Sequence, residues 1–129
     1  MPFVSNLTRY SFGIILSFVV EIIVTGEFAK WYGGLAEQDG GAVYDAVEFL
    51  ATRGLALGHP QSSAIKGSRF AIRELRIQSG GRAVRVFYAF DPKRQAVLII
   101  GGTKADGRFY DKMVPVAERI WAEYLDETK

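Results

Sequence analysis

Four arginines fall within thirteen residues in the stretch RELRIQSGGRAVRVFYAFD, at Arg73, Arg76, Arg82 and Arg85. Lys104, Arg108 and Tyr110 follow in GGTKADGRFY. Guanidinium groups fork around phosphate oxygens, and a phenol either stacks on a base or exchanges a proton. Such residues gathered at one place suit recognition of a phosphodiester, and its cleavage. Whether they gather is decided by the strands that carry them.

Gly80-Gly81 supplies the two positive-φ positions of a type I′ hairpin turn, so Ser79 pairs with Arg82. Counting outwards sets Ile77 against Val84 and Leu75 against Val86, which makes one face of the hairpin apolar and places it on the core. The other face sets Arg76 opposite Arg85. Two guanidiniums in that position repel unless an anion lies between them. AFDPKRQ reads as a turn with Pro92 at its natural second position, and AVLII (Ala96 to Ile100) as a central strand. With Phe90 paired to Gln95, Arg85 lies opposite Ile100, and alternation carries Gly102 and Lys104 to the arginine face. The expected constellation is Arg76, Arg85, Lys104, Arg108 and Tyr110 around one end of a sheet. A structural alternative is that Glu74, two residues from Arg76 on the same face, simply pairs with either arginine.

The elements that must position this face follow from period. A chain of 129 residues, about half apolar, makes one domain with a core. Phe28, Trp31, Tyr32 and Leu35 have helical spacing, but Gly33-Gly34 costs roughly 1 kcal/mol per glycine and predicts a short helix. A second helix runs from about Gly41 to Arg53 with Gly54 as its stop, completing a helical hairpin. Leu55 to Ser68 reads as a loop, three strands follow, and a last helix starts near Pro115 and stacks Ala117, Ile120, Trp121, Tyr124 and Leu125. The aromatic residues of the helical hairpin read as core.

The apolar run Phe12 to Val24 is too short for a membrane span and contains Glu21. A signal peptide with cleavage after Val24-Thr25-Gly26 is the rival reading. Val19 to Val24 is β-branched and is expected as the first strand, leaving residues 1–18 as an N-terminal extension and 19–129 as one domain. There is no cysteine, which fits a reducing compartment, and the single histidine, His59, has no second histidine or thiolate with which to share a metal. The formal net charge of +2 is unevenly spread, because Lys66 to Lys112 holds eleven Lys/Arg against Glu74, Asp91, Asp106 and Asp111. A localised anionic partner, such as RNA, DNA or an acidic protein surface, fits that half of the chain, as does a solvated charged face.

The order strand, helical hairpin, loop, KGSRFAIRELR, GRAVRVFYAFDPKRQAVLIIGGTKADG and amphipathic helix resembles the RelE/ParE toxin superfamily, closest to its HigB and phage Gp49-like branch. The resemblance covers Val19 to about Leu125. It implies an α+β fold, with a small antiparallel or mixed sheet, an N-terminal helical hairpin and a C-terminal helix. It further implies a bacterial type II toxin, an endoribonuclease that cuts mRNA on the ribosome without metal or cofactor. In that family the ribose 2′-hydroxyl attacks the adjacent phosphate while cationic side chains stabilise the phosphorane. The matching residues are Arg76, Arg85, Lys104 and Tyr110, for catalysis, and the neighbouring cations Lys66, Arg69, Arg73, Arg82 and Arg108 are the expected RNA contacts. The implied partners are a cognate antitoxin of helix-turn-helix type and mRNA on the ribosome in the cytoplasm, with DNA reached only through the antitoxin and no membrane. Two departures stand out: Lys104-Ala105-Asp106, where the branch often has consecutive lysines, and Glu74, where some relatives carry a base. ParE-like relatives inhibit DNA gyrase on the same scaffold, and a catalytically inactive antitoxin-binding scaffold is a third reading.

Overall fold

The computed structural model describes residues 7–10 by their backbone and residues 20–129 in full. The strands are β1 (Leu7–Tyr10), β2 (Ile22–Thr25), β3 (Ser62–Ala64), β4 (Arg73–Ser79), β5 (Arg82–Phe90) and β6 (Ala96–Lys104), with alternation clearest in β4 and continuous apolar runs in β2 and the first half of β6. Segments of helical period form α1 (Gly26–Gly33), α2 (Glu37–Arg53) and α3 (Phe109–Glu127). One six-stranded sheet has the order β1-β2-β6-β5-β4-β3. It is mixed, because β2 runs parallel to β6 while the other neighbours are antiparallel.

Helices cover both faces. On one, Val43, Val47 and Leu50 of α2 pack with Phe28 of α1 against Ile22, Val24, Leu75, Val86 and Leu98. On the other, Ala117, Ile120 and Trp121 of α3 pack against Ile23, Phe87, Val97 and Ile99. Each Val, Leu, Ile or Phe side chain buried there stabilises the fold by roughly 1.5–3 kcal/mol, so both layers hold the sheet in place. Thr25 joins strand to helix: its hydroxyl accepts from the Phe28 N–H at 3.0 Å and donates to the Ile99 carbonyl at 2.7 Å. The Trp31 indole sits against Gly101, where a Cβ would come within 2.2 Å of it. The short first helix and its core aromatics are as expected.

The glycine hairpin forms as read, with φ of 56° at Gly80 and 79° at Gly81, and with Ser79 on Arg82, Ile77 on Val84, Leu75 on Val86 and Arg76 on Arg85. Gly54, with φ of 58°, ends α2 as expected. Four expectations need correction. Phe90 pairs with Ala96, not Gln95, because the Asp91 N–H reaches the Gln95 carbonyl at 3.0 Å and Arg94 takes a left-handed φ of 62°. An irregularity between Phe87 and Tyr88 then adds a second one-residue shift, so Arg85 faces Gly102 rather than Ile100. The two shifts cancel in parity, and Gly102 and Lys104 still share the arginine face. Third, α2 begins at Glu37 rather than Gly41, and α3 begins at Phe109 rather than near Pro115, which lies inside it. Packing of Phe109 against Gly102 and stacking on Phe87 start α3 more than a turn early. Fourth, the loop Leu55 to Ser68 contains a 3-10 turn at Gly54–Ala56 and the edge strand β3, which Arg76 anchors by its N–H on the Gln61 carbonyl at 2.9 Å.

The segment left without assigned structure supplies β1, antiparallel to β2. Val19 and the rest of that segment lie outside the described residues. Among the described residues no helix is long and apolar enough to cross a membrane.

Candidate functional site

On the α3 side of the sheet, strand alternation aligns Glu74 and Arg76 of β4, Arg85 of β5, and Gly102 and Lys104 of β6. The first turn of α3 brings Tyr110 over the same end. Its ring stands edge-on to Phe87, with centroids 6.4 Å apart, and to Phe109 at 5.1 Å. A Cβ on Gly102 would meet Phe109 at 3.1 Å, so the glycine lets the helix start close enough for the phenol to reach the arginines.

Glu74 lies at the centre. Its carboxylate is 4 % exposed and accepts a hydrogen bond from the Tyr110 hydroxyl at 2.7 Å and from Arg76 Nη1 at 3.1 Å. Arg85 Nε stands 3.6 Å from the same oxygen that Tyr110 uses, close enough for an ion pair but too far for a hydrogen bond. That nitrogen is buried and has no hydrogen-bond partner, while Arg85 Nη1 donates to the Val84 carbonyl at 3.1 Å. Lys104 Nζ lies 5.3 Å from the centre of the Tyr110 ring. Burial pushes the Tyr110 phenol above its ordinary value, the hydrogen bond to Glu74 adds to the rise, and Arg85 opposes it. The phenol is therefore protonated at neutral pH.

Arg76, Arg85, Lys104 and Tyr110 thus meet at one place, and the structural alternative for Glu74 is realised at the same time. The carboxylate is the anion that lets two guanidiniums face each other across strands. Its signal in the sequence was position alone, two residues before Arg76 on the same face.

The other cationic residues are placed elsewhere. Arg73 points to the α2 side, where its Nε donates to Ser62 Oγ at 3.0 Å beside the buried Tyr88 hydroxyl at 3.4 Å. Arg82 is on that side too and pairs with Asp39 of α2 at 2.6 Å. Hydrogen bonds from Ser79 and Arg82 hold the Asp39 carboxyl below its ordinary range. Lys66 and Arg69 lie on the β3–β4 loop, which Glu118 of α3 ties down through Ser68 Oγ at 2.8 Å and the Arg69 N–H at 3.0 Å. The Arg69 guanidinium covers the Phe70 ring at 4.7 Å. Arg108 is exposed just before α3, with its N–H on Asp106 at 2.9 Å. Among the described residues no three His, Asp or Glu side chains come together as metal ligands would.

The family described as Phage derived protein Gp49-like (DUF891) matches residues 30–122. The candidate toxin HigB2 of Mycobacterium tuberculosis is 41% identical over 102 residues, covering 75% of this chain and 50% of the relative. The candidate toxin HigB3 of the same organism is 34% identical over 107 residues, covering 81% of this chain and 92% of the relative. The chain therefore spans half the length of the first relative and nearly all of the second. No solved structure gives a significant match. The family match spans most of the chain, from the end of α1 through α2 and the arginine face into α3, and the HigB3 relative is covered nearly end to end: the chain belongs to the phage-derived Gp49-like family, in its HigB-type branch.

Proposed function

We propose that this protein is the toxin of a toxin–antitoxin pair and that it cleaves mRNA on the ribosome as a metal-independent endoribonuclease. The observation that carries this reading is the convergence of Arg76, Arg85, Lys104 and Tyr110 on one end of the sheet, with a buried Arg85 Nε that has no hydrogen-bond partner. The names of the HigB2 and HigB3 relatives support the toxin part. In the proposed reaction the ribose 2′-oxygen attacks phosphorus and the bond to the 5′-oxygen breaks. Arg76, Arg85 and Lys104 hold the phosphorane's developing negative charge, and donors already in place contribute most when charge appears on the reacting group. Arg108 and the loop cations Lys66 and Arg69 lie outside the cluster, as RNA-backbone contacts of the kind that make binding salt-dependent.

Residues 19–129 act in this reading as one toxin domain, held in check by a cognate antitoxin of helix-turn-helix type in the cytoplasm. The experiment is cleavage of mRNA in a translating extract with EDTA present. Cleavage supports the reading, and intact mRNA under conditions where the protein still arrests growth would replace it with a gyrase-directed mode. Intact mRNA with no growth arrest would favour an inactive scaffold, the reading to which the Glu74 ion pairs lend weight.

A further inference from the structure

Tyr110 could serve a ribonuclease in two opposite ways, as a donor to the departing oxygen or as an acceptor from the attacking one. The surroundings of its hydroxyl decide between them. A phenol has one hydrogen and two lone pairs, and an ionised carboxylate only accepts. The buried Glu74 carboxylate, flanked by the Arg76 and Arg85 guanidiniums, takes that one hydrogen at 2.7 Å. Arg85 Nε stands 3.6 Å from the same carboxylate oxygen, and Lys104 lies over the ring. What Tyr110 offers to the open side is therefore a lone pair.

We propose that Glu74 is a positioning residue of this site, which fixes the Tyr110 hydroxyl as an acceptor, so that the tyrosine takes a hydrogen bond from the attacking 2′-hydroxyl and does not protonate the leaving oxygen. The inference rests on the ribonuclease reading above. In the step itself the 2′-oxygen–phosphorus bond forms, the phosphorus–5′-oxygen bond breaks, the 2′ proton passes to the Tyr110 oxygen as its own hydrogen moves to Glu74, and the departing 5′-oxygen takes a proton from water or from Lys104. Arrival of the phosphate draws Arg76 and Arg85 towards it, which weakens their hold on Glu74 when the carboxylate must accept. The same carboxylate lowers the positive charge of the cluster, so removing its charge strengthens RNA binding while slowing the reaction.

The test uses ribosome-bound mRNA with one scissile 5′-bridging oxygen replaced by sulfur, a leaving atom that departs without a proton. Glu74→Gln and Tyr110→Phe should each lower kcat by about 100-fold, the range of a lost acid–base contribution, with the double variant no slower than either. Glu74→Gln should bind RNA as tightly as the wild type or more so. Both variants should be equally slow on oxygen and sulfur substrates. Recovery of Tyr110→Phe on the sulfur substrate would make the tyrosine the acid and overturn the proposal. So would a Glu74→Gln protein with wild-type kcat, or one whose RNA binding and thermal stability fall together. A wild-type protein that cleaves neither substrate would instead remove the ribonuclease reading, and this inference with it.

Discussion

Arg85→Ala separates a catalytic from a structural role for the arginine face. Arg85 is 6 % exposed and stands 3.6 Å from a carboxylate that is itself 4 % exposed. Deleting one partner of a buried pair costs about 3–5 kcal/mol when the survivor is left alone. Glu74 keeps Arg76 and the Tyr110 hydroxyl, so the expected cost is lower, about 2 kcal/mol. In a chain of this size that lowers Tm by about 8 °C. At about 0.05 kcal/mol per residue the wild type has roughly 6 kcal/mol to lose, and the remaining 4 or so leave about one molecule in a thousand unfolded. Unfolding therefore cannot silence the variant at growth temperature. Loss of a donor to the phosphorane should, by about 100-fold or more in cleavage rate. Circular-dichroism melting and mRNA cleavage measured on one preparation give both numbers. A variant with a lowered Tm and full activity would confine Arg85 to the scaffold, and one unchanged in both would remove the site.

Lys104→Ala is expected to lose cleavage by a similar factor with Tm within about 2 °C of wild type, since its ammonium is half-exposed and rests on the Tyr110 ring; a parallel melt and growth assay checks this. Gly101→Ala forces a carbon to within 2.2 Å of the Trp31 indole and should cost about 1–3 kcal/mol, more than Gly102→Ala, where Phe109 lies at 3.1 Å; chemical denaturation ranks the two. Burial alone would raise the Asp91 carboxyl, but hydrogen bonds from Tyr124, Gln95 and the Lys93 N–H outweigh it and hold the group below its ordinary range. Its folded value being the lower one, it contributes stability that is complete above the unfolded value and is lost as the pH falls through the folded value. Tyr124→Phe should flatten that acid loss, as melting curves between about pH 6 and about pH 2 would show.

The β4–β5 hairpin was legible in full because two independent signals agreed there: a turn that demands positive φ, and an apolar match across the strands. The next turn offered no such agreement. Its closing pair depends on Asp91 capping the Lys93 and Gln95 N–H groups, and the irregularity at Phe87/Tyr88 depends on packing that a linear pattern does not carry. Lys104 nonetheless came out on the correct face, since two one-residue slips restore parity. Pro115 misled for a simple reason: a favourable first helical position is a preference, and the aromatic contacts of Phe109 outweighed it. Arg73 and Arg82 were grouped with the RNA contacts by charge, although the parity that places Leu75 and Ile77 on the core side already sets both with them. The weight of Glu74 was the hardest to read, because a lone carboxylate among arginines looks the same in sequence whether it lies in solvent or at the buried centre of a site.

The parallel pairing of β2 with β6 has a consequence in time. Thr25 and Ile99, joined across those strands, are 74 positions apart. A ribosome adding about 5–20 residues per second needs roughly 4–15 s to pass from one to the other. For that interval the apolar strand Ile22–Thr25 has β1 to pair with and no central neighbour, and β5, which carries Arg85, also lacks its partner on that side. The face that gathers Arg76, Arg85 and Lys104 cannot exist before Lys104 itself has left the exit tunnel. On a nascent chain the arginine face therefore assembles only once β6 has emerged, whatever pairing β4 and β5 have reached before it.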